Sequence, residues 1–278
     1  MYKQKLCLGL SDSFGASPED LIEIIGNAGF EEIFIDASDR NVDYAHLADF
    51  ARKTGLGVQS LHAPFNRSDD MWDEEGELGE IAEKELISFA EGCSNSEIPI
   101  MVTHAFIGFD NDRKPTHAGV ERYGRVAKRC EELGIKLALE NTEGLEFLDT
   151  LLKEFKGNKS VGFCWDSGHE LCYNFSKNLL ADYGDMLICT HLNDNLGISR
   201  YDGKIYWTDD LHLLPFDGIR DWKEAAERLN KCGFNGTLTF ELTRKSKPNR
   251  HENDGYAALS TEMYIAEAYK RACRVASL

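Results

Sequence analysis

The chain has 278 residues, 42% of them hydrophobic, and a formal net charge of −17. It can bury a substantial core, and no apolar run approaches the ~20 residues needed to cross a bilayer. The acidity suits a soluble protein with a small-molecule substrate and opposes nonspecific attraction to nucleic acid or anionic lipid.

The start, MYKQKLCLGL, lacks the hydrophobic region and cleavage site of a signal peptide, so a cytoplasmic location is expected. The eight cysteines form no C-x-x-C pair, which argues against a cysteine-ligated zinc site. Cys7, Cys164 and Cys189 fall inside apolar runs, where a reduced thiol acts as a small hydrophobe.

One cassette recurs along the chain: amphipathic helix, glycine, short apolar strand, polar residue. It reads as NAGFEEIFID (27–36), KTGLGVQSLH (53–62), ELGIKLALEN (132–141) and KCGFNGTLTFEL (231–242). Each glycine sits just past a helical pattern, where a left-handed residue ends the helix. In chain order the strands are expected near 5–10, 31–36, 57–62, 99–104, 135–140, 161–166, 187–191 and 237–241. Helices are expected near 18–29, 43–55, 77–93, 117–134, 146–156, 176–184, 220–233 and 260–275. The first of these has Ser17 as N-cap and Pro18 at its first position. Eight alternating units without a linker predict one domain over residues 1–278, a closed (β/α)8 TIM barrel.

Alternation along the strands assigns faces. Ala138 and Glu140 share one face, with Leu137 and Leu139 opposite. Cys164 and Asp166 oppose Phe163 and Trp165; Thr239 and Glu241 oppose Leu238 and Phe240. The bulkier sets must meet the outer helices, so the smaller sets line the lumen. Each lumen face then ends at the top in an ionisable residue: Asp36, His62, His104, Glu140, Asp166, His191 and Glu241. Loops add His169, Asp210 and His212, whereas His46, His117 and His251 fall on surface stretches. Without Asp36, four carboxylates and five histidines converge on one mouth. They would repel and desolvate one another unless cations neutralised them. Imidazole with carboxylate suits Zn²⁺ or Mn²⁺ first, with Mg²⁺ or Co²⁺ as alternatives.

With these residues the chain resembles the xylose-isomerase-like barrel superfamily. That group contains sugar and sugar-phosphate isomerases and epimerases, and the AP endonuclease family 2 with endonuclease IV. The motifs that carry the resemblance are HAP (62–64), LALENT (137–142), GFCWDSGH (162–169), HLNDN (191–195), DLHLLPFDG (210–218) and FEL (240–242). The resemblance implies a metal-dependent isomerase or epimerase with a small carbohydrate substrate, acting by proton transfer through a metal-stabilised enediolate. It implies Glu140, Asp166, His191 and Glu241 as metal ligands, with the two glutamates as proton donor and acceptor. It also places His169 and Glu146 where sugar hydroxyls are contacted, although Glu146 is equally a first-turn acid facing a helix dipole.

The alternative implied is a trinuclear-zinc phosphodiesterase like endonuclease IV, whose nine ligand types are all present. They would be His62, His104, Glu140, Asp166, His169, His191, Asp210, His212 and Glu241. Against it stand the net charge and the acidic stretch 68–80 after the third strand. Tyr201, Tyr206 and Trp207 could stack on a sugar or close a lid. Arg200, Arg244, Lys245 and Lys247 follow late strands, where barrels often bind phosphate. The sugar's identity, its phosphorylation and a homo-oligomeric state stay open.

Overall fold

A computed structural model describes residues 3–74, 76–109 and 112–278. Its strands are β1 (Leu6–Gly9), β2 (Glu32–Asp36), β3 (Gly57–His62), β4 (Ile100–His104), β5 (Lys136–Glu140), β6 (Val161–Asp166), β7 (Leu187–His191) and β8 (Leu238–Phe240). All neighbours pair in parallel, in the order β7-β6-β5-β4-β3-β2-β1-β8. A parallel bridge between Leu192 and Phe240, with Glu241 N–H donating to the Leu192 carbonyl at 3.2 Å, brings β7 against β8 and nearly closes the barrel.

Around it lie α1 (Pro18–Ala28), α2 (Tyr44–Lys53), α3 (Glu77–Asn95), α4 (His117–Leu133), α5 (Leu145–Glu154), α6 (Ser167–Cys172), α7 (Leu179–Tyr183), α8 (Trp222–Lys231) and α9 (Thr261–Ala276). Among the described residues no helix is long and apolar enough to cross a membrane. The four cassette glycines, Gly29, Gly55, Gly134 and Gly233, all have positive φ, as helix termination there requires. Ser17 accepts from the Asp20 N–H and so caps α1.

Strand parity divides the interior into two clusters. Leu137, Leu139, Phe163, Trp165, Leu238 and Phe240 belong to the large layer packed between strands and helices. Val102, Ala138, Cys164 and Cys189 form a separate small cluster, the fill of the lumen. All eight cysteines are free thiols.

The sequence pattern predicts a loop over 167–172, but the structure has α6 there, starting directly at the end of β6. Asp166 is its N-cap, accepting from the His169 N–H at 2.6 Å. Immediate helix formation aims His169 back over the barrel mouth.

Glu170 anchors this short helix. Its buried carboxylate accepts from Arg220 Nη1 (2.9 Å), from Arg228 (2.8 and 2.7 Å), from Trp165 Nε1 (2.9 Å) and from the Leu179 N–H (3.1 Å). Burial alone would raise its pKa, but Arg228 and Arg220 hold it below the ordinary carboxylate value. Glu170→Ala leaves two buried guanidiniums without their anion and should cost about 3–5 kcal/mol in urea unfolding. In the native chain this contribution is complete above the ordinary carboxylate range. It is lost as pH falls through the lowered folded value. Equal unfolding midpoints for variant and wild type would show that α6 is held by other contacts.

Candidate metal centre

The mouth is built around Glu140 at the top of β5, which is 1% exposed. Four imidazoles converge on it. His62 Nε2 lies 3.2 Å from Oε2, His191 Nδ1 3.1 Å from Oε2, His169 Nδ1 3.2 Å from Oε1 and His104 Nε2 3.9 Å from Oε2. Burial would raise the Glu140 pKa, but His191, His169 and His62 hold it well below its ordinary value.

Glu241, from the end of β8, reaches the same His191 nitrogen at 3.0 Å. Burial pushes it up, and His191 and His212 outweigh that to hold it at about 2. Asp166, fully buried, is pushed up by burial to about 6, and burial pushes His104 down to about 3. Asp210 and His212 come from the loop after β7 and meet at 2.9 Å. His169 Nε2 lies 3.4 Å from Asp210 on the other side. Burial would lower the His212 pKa, yet Asp210 and Glu241 lift it to about 9.

Among the described residues the carboxylate and imidazole donors of the mouth fall into three groups, each within 4.8 Å: His62, His104 and Glu140; Glu140, Asp166, His191 and Glu241; His169, Asp210 and His212. Several buried atoms in them have no hydrogen-bond partner, namely His104 Nδ1, Glu140 Oε1, His191 Nδ1 and Asp210 Oδ1. Some stand about 3 Å from an oppositely charged atom. The spacing within each group is one that a single cation could bridge. The chemistry also fits, since mixed imidazole and carboxylate sets take divalent ions. Burial would lower the His169 and His191 pKa values, yet Asp166 and Asp210 raise the first, and Cys164, Glu140 and Glu241 raise the second.

Supporting contacts fix the ligands in the manner usual for metal sites. His62 Nδ1 donates to the Ala63 carbonyl (2.9 Å), His169 Nδ1 to that of Asn141 (3.0 Å) and His212 Nδ1 to that of Glu241 (3.2 Å). Asn193 Nδ2 donates to Asp166 at 2.9 Å. Asn141 ties β5 to β6, accepting from the Asp166 N–H and donating to its carbonyl. His104 lies stacked on Phe65, and His191 on Phe34.

Not every expected residue is here. Glu146 is half exposed and pairs with Lys114 at 3.2 Å. It lines a groove of about 660 Å³ between α5 and α7 and belongs to none of the three groups. Glu143 is the acid that sequence reasoning missed. It is buried, accepts from the Gly108 N–H at 2.7 Å and feels the charges of His169 and Asp210. It lies past the end of β5, where strand parity gives no signal for it.

Asp36 lines a cavity of about 440 Å³ that also reaches Glu241, His212, Phe34, Leu10 and Ser11. Arg244 is bound to the Phe14 and Ala257 carbonyls, and Lys247 Nζ stands 3.5 Å from Asp210. Arg200 lies over the Tyr206 ring. Tyr201 is 94% exposed and Trp207 49%. His46, His117 and His251 are surface residues. In the acidic stretch Met71 and Trp72 are buried and Asp73 pairs with Arg113; Glu75 lies outside the described residues.

Fold and site together define a (β/α)8 barrel with an acidic, histidine-rich mouth suited to divalent ions. The xylose isomerase-like TIM-barrel model matches residues 17–263, and the chain belongs to that family. An uncharacterized protein of Sinorhizobium fredii, y4fM, is 26% identical over 265 residues, spanning 90% of this chain and 79% of that one. Among solved structures, the D-psicose 3-epimerase of Clostridium cellulolyticum H10 superposes with a TM-score of 0.71 at 16% identity, covering 98% of each chain. The IolI protein with a bound zinc atom does so with the same TM-score, identity and coverage. The 3-keto-D-glucoside 4-epimerase YcjR of E. coli gives 0.67 at 17% identity, over 91% of this chain and 98% of its own. At these identities the likeness is one of fold.

The loop that carries Asp210 and His212 hangs on Asp194. This buried carboxylate accepts from the N–H groups of Asn195 (2.9 Å), Phe216 (2.9 Å) and Arg220 (3.0 Å) and from Trp222 Nε1 (2.9 Å). A Cβ at Gly218 would overlap its Oδ1. Asp194→Ala strands these donors at about 1–3 kcal/mol each. Amide hydrogen exchange over 206–221 should rise while the strands stay protected. Unchanged protection there would show that other contacts hold the loop.

Proposed function

We propose that the protein is a divalent-metal-dependent isomerase or epimerase of a small carbohydrate. One observation carries the reading: Glu140 of β5 and Glu241 after β8, with β6 and β7 between them around the barrel, converge on His191 in one group with Asp166. Glu241 also faces the cavity of about 440 Å³, a volume within the range of small-molecule sites. The epimerase names among the solved structures of this fold support the same class.

Glu140, Asp166, His191 and Glu241 would hold the ion, Zn²⁺ or Mn²⁺ by donor type, with Co²⁺ or Mg²⁺ as alternatives. When bound, such an ion supplies Lewis-acid polarisation of a carbonyl and acidifies the adjacent C–H. Glu241, at the cavity wall, takes or returns the proton on one side of the substrate, and Glu140 serves the other. The neighbouring imidazoles hold both carboxyls below their ordinary value, which weakens them as bases, and the acidity that a bound ion would lend the C–H compensates. His169, whose Nδ1 is held by the Asn141 carbonyl, would bind a substrate hydroxyl.

Protein purified without chelator should carry divalent metal, and His191→Ala or Asp166→Asn should lose it. Metal-free wild type by elemental analysis would count directly against the assignment. In metal-loaded Glu140→Gln and Glu241→Gln, exchange of the substrate's α-proton with solvent deuterium should fall by roughly 10²–10⁴-fold. Near-normal exchange in either variant would remove that residue as a base.

A second reading rests on the other two groups, His62 with His104 and His169 with Asp210 and His212. Filled together with the first, they would make a three-ion centre of the kind that cleaves phosphodiesters. Anomalous scattering from a metal-soaked crystal separates the two. One dominant ion at Glu140, Asp166, His191 and Glu241 supports the isomerase. Three full sites, with incision of an abasic-site duplex, would replace it.

A further inference from the structure

We propose that Cys164, Cys189 and His191, the last through Nε2, form a second, buried site for a thiophilic d¹⁰ cation such as Cd²⁺ or Cu⁺. It would lie one rung below the proposed tetrad in the barrel lumen.

The register builds it. β6 and β7 pair Cys164 with Cys189 and Asp166 with His191. Side chains two residues apart share a face, so both sulfurs lie directly beneath both ligands. The two sulfurs and a His191 ring nitrogen are fully buried and lie within 4.8 Å of one another. Ligand atoms about 2.3 Å from one ion stand roughly 4 Å apart, so only small side-chain movements close the site.

His191 supplies the independent sign. His62, His169 and His212 each place one ring nitrogen on a main-chain carbonyl and present the other to the mouth. His191 turns Nδ1 to Glu140 and Glu241, and its buried Nε2 has no hydrogen-bond partner. A ligating histidine almost always uses its second nitrogen, so the one left over here is set for another ligand. Gln59 Nε2 donates to Cys189 Sγ at 3.4 Å, a contact that stabilises a thiolate.

Two sulfurs and an imidazole select soft ions, whereas the carboxylates above favour harder ones. With Nδ1 on the upper ion, Cd²⁺ binding breaks two S–H bonds and the His191 Nε2–H bond, forms two Cd–S bonds and one Cd–N bond, and releases three protons to solvent. Two thiolates match the +2 charge, and the imidazolate is shared between the two ions. Because His191 is shared, filling the lower site draws its ring from the carboxylates and should inhibit the enzyme. That consequence alone rests on the function proposed above.

The test is Cd²⁺ titration of the metal-loaded full chain, followed by thiolate-to-metal charge-transfer absorption and by X-ray absorption at the Cd edge. A band saturating at a single equivalent, with two sulfurs and at least one nitrogen around the ion, is expected. It should survive in a Cys93→Ser/Cys130→Ser variant and vanish in Cys164→Ala and in Cys189→Ala. The alanine variants keep a small apolar side chain, and the wild-type edge spectrum decides the matter even if one fails to fold. A sulfur-free shell, or a band that persists in both alanine variants, overturns the proposal. An intact band in protein that exchanges no substrate proton would overturn the isomerase reading and leave this site standing.

Discussion

A carboxylate buried at the centre of a barrel is the constraint from which the rest of the mouth follows. Glu140 is all but inaccessible, and an uncompensated charge there would cost many kcal/mol. Beside His104 of β4, which burial pushes down, three imidazoles from β3, α6 and β7 answer it. Each is then itself a buried potential cation, and Asp166, Glu241 and Asp210 balance those in turn. The outcome is a shell of donors around places where positive charge belongs. Hydrogen bonds among the donors do not exhaust them, which leaves a set of groups that could hold a divalent ion.

Much of this was legible in the sequence because a strand has a period of two. Once the ends of β5, β6 and β8 were located, parity forced Glu140, Asp166 and Glu241 into the lumen and Leu139, Trp165 and Phe240 outward, as the two apolar clusters confirm. The cassette glycines Gly134 and Gly233 mark where β5 and β8 begin, since a positive φ after a helix is a local demand that only a few residues meet.

What the sequence hid lies past the strand ends, where parity stops. α6 begins at β6 with no turn residue to announce it; the sign was Asp166 acting as N-cap to its own neighbour's helix. Glu143 is turned inward by the bend after β5, whereas Glu146, three residues on, is carried outward at the start of α5. Spacing from Glu140 cannot distinguish the two, because the difference is made by Gly144. Its φ of +70 redirects the chain, and a Cβ there would overlap Phe106. Asp194 was hidden for another reason: its four donors come from residues 195–222, a span in which no local pattern registers a shared partner.

These two kinds of support divide the centre. Glu140, Asp166, His191 and Glu241 stand at or beside strand ends, and the barrel's own hydrogen bonds fix their spacing. Asp210 and His212 stand on a loop whose course depends on Asp194 and on the single antiparallel bridge from Asp194 to Leu213. His212 itself has a φ of +45, a conformation that costs a non-glycine residue about 1 kcal/mol or more. The strand-borne group is therefore as rigid as the fold, while the loop-borne group is only as rigid as its anchor. A centre built this way can keep its inner group unchanged while the outer one varies. The length and anchoring of the loop after β7 then decide how many ions it could hold and what can approach them.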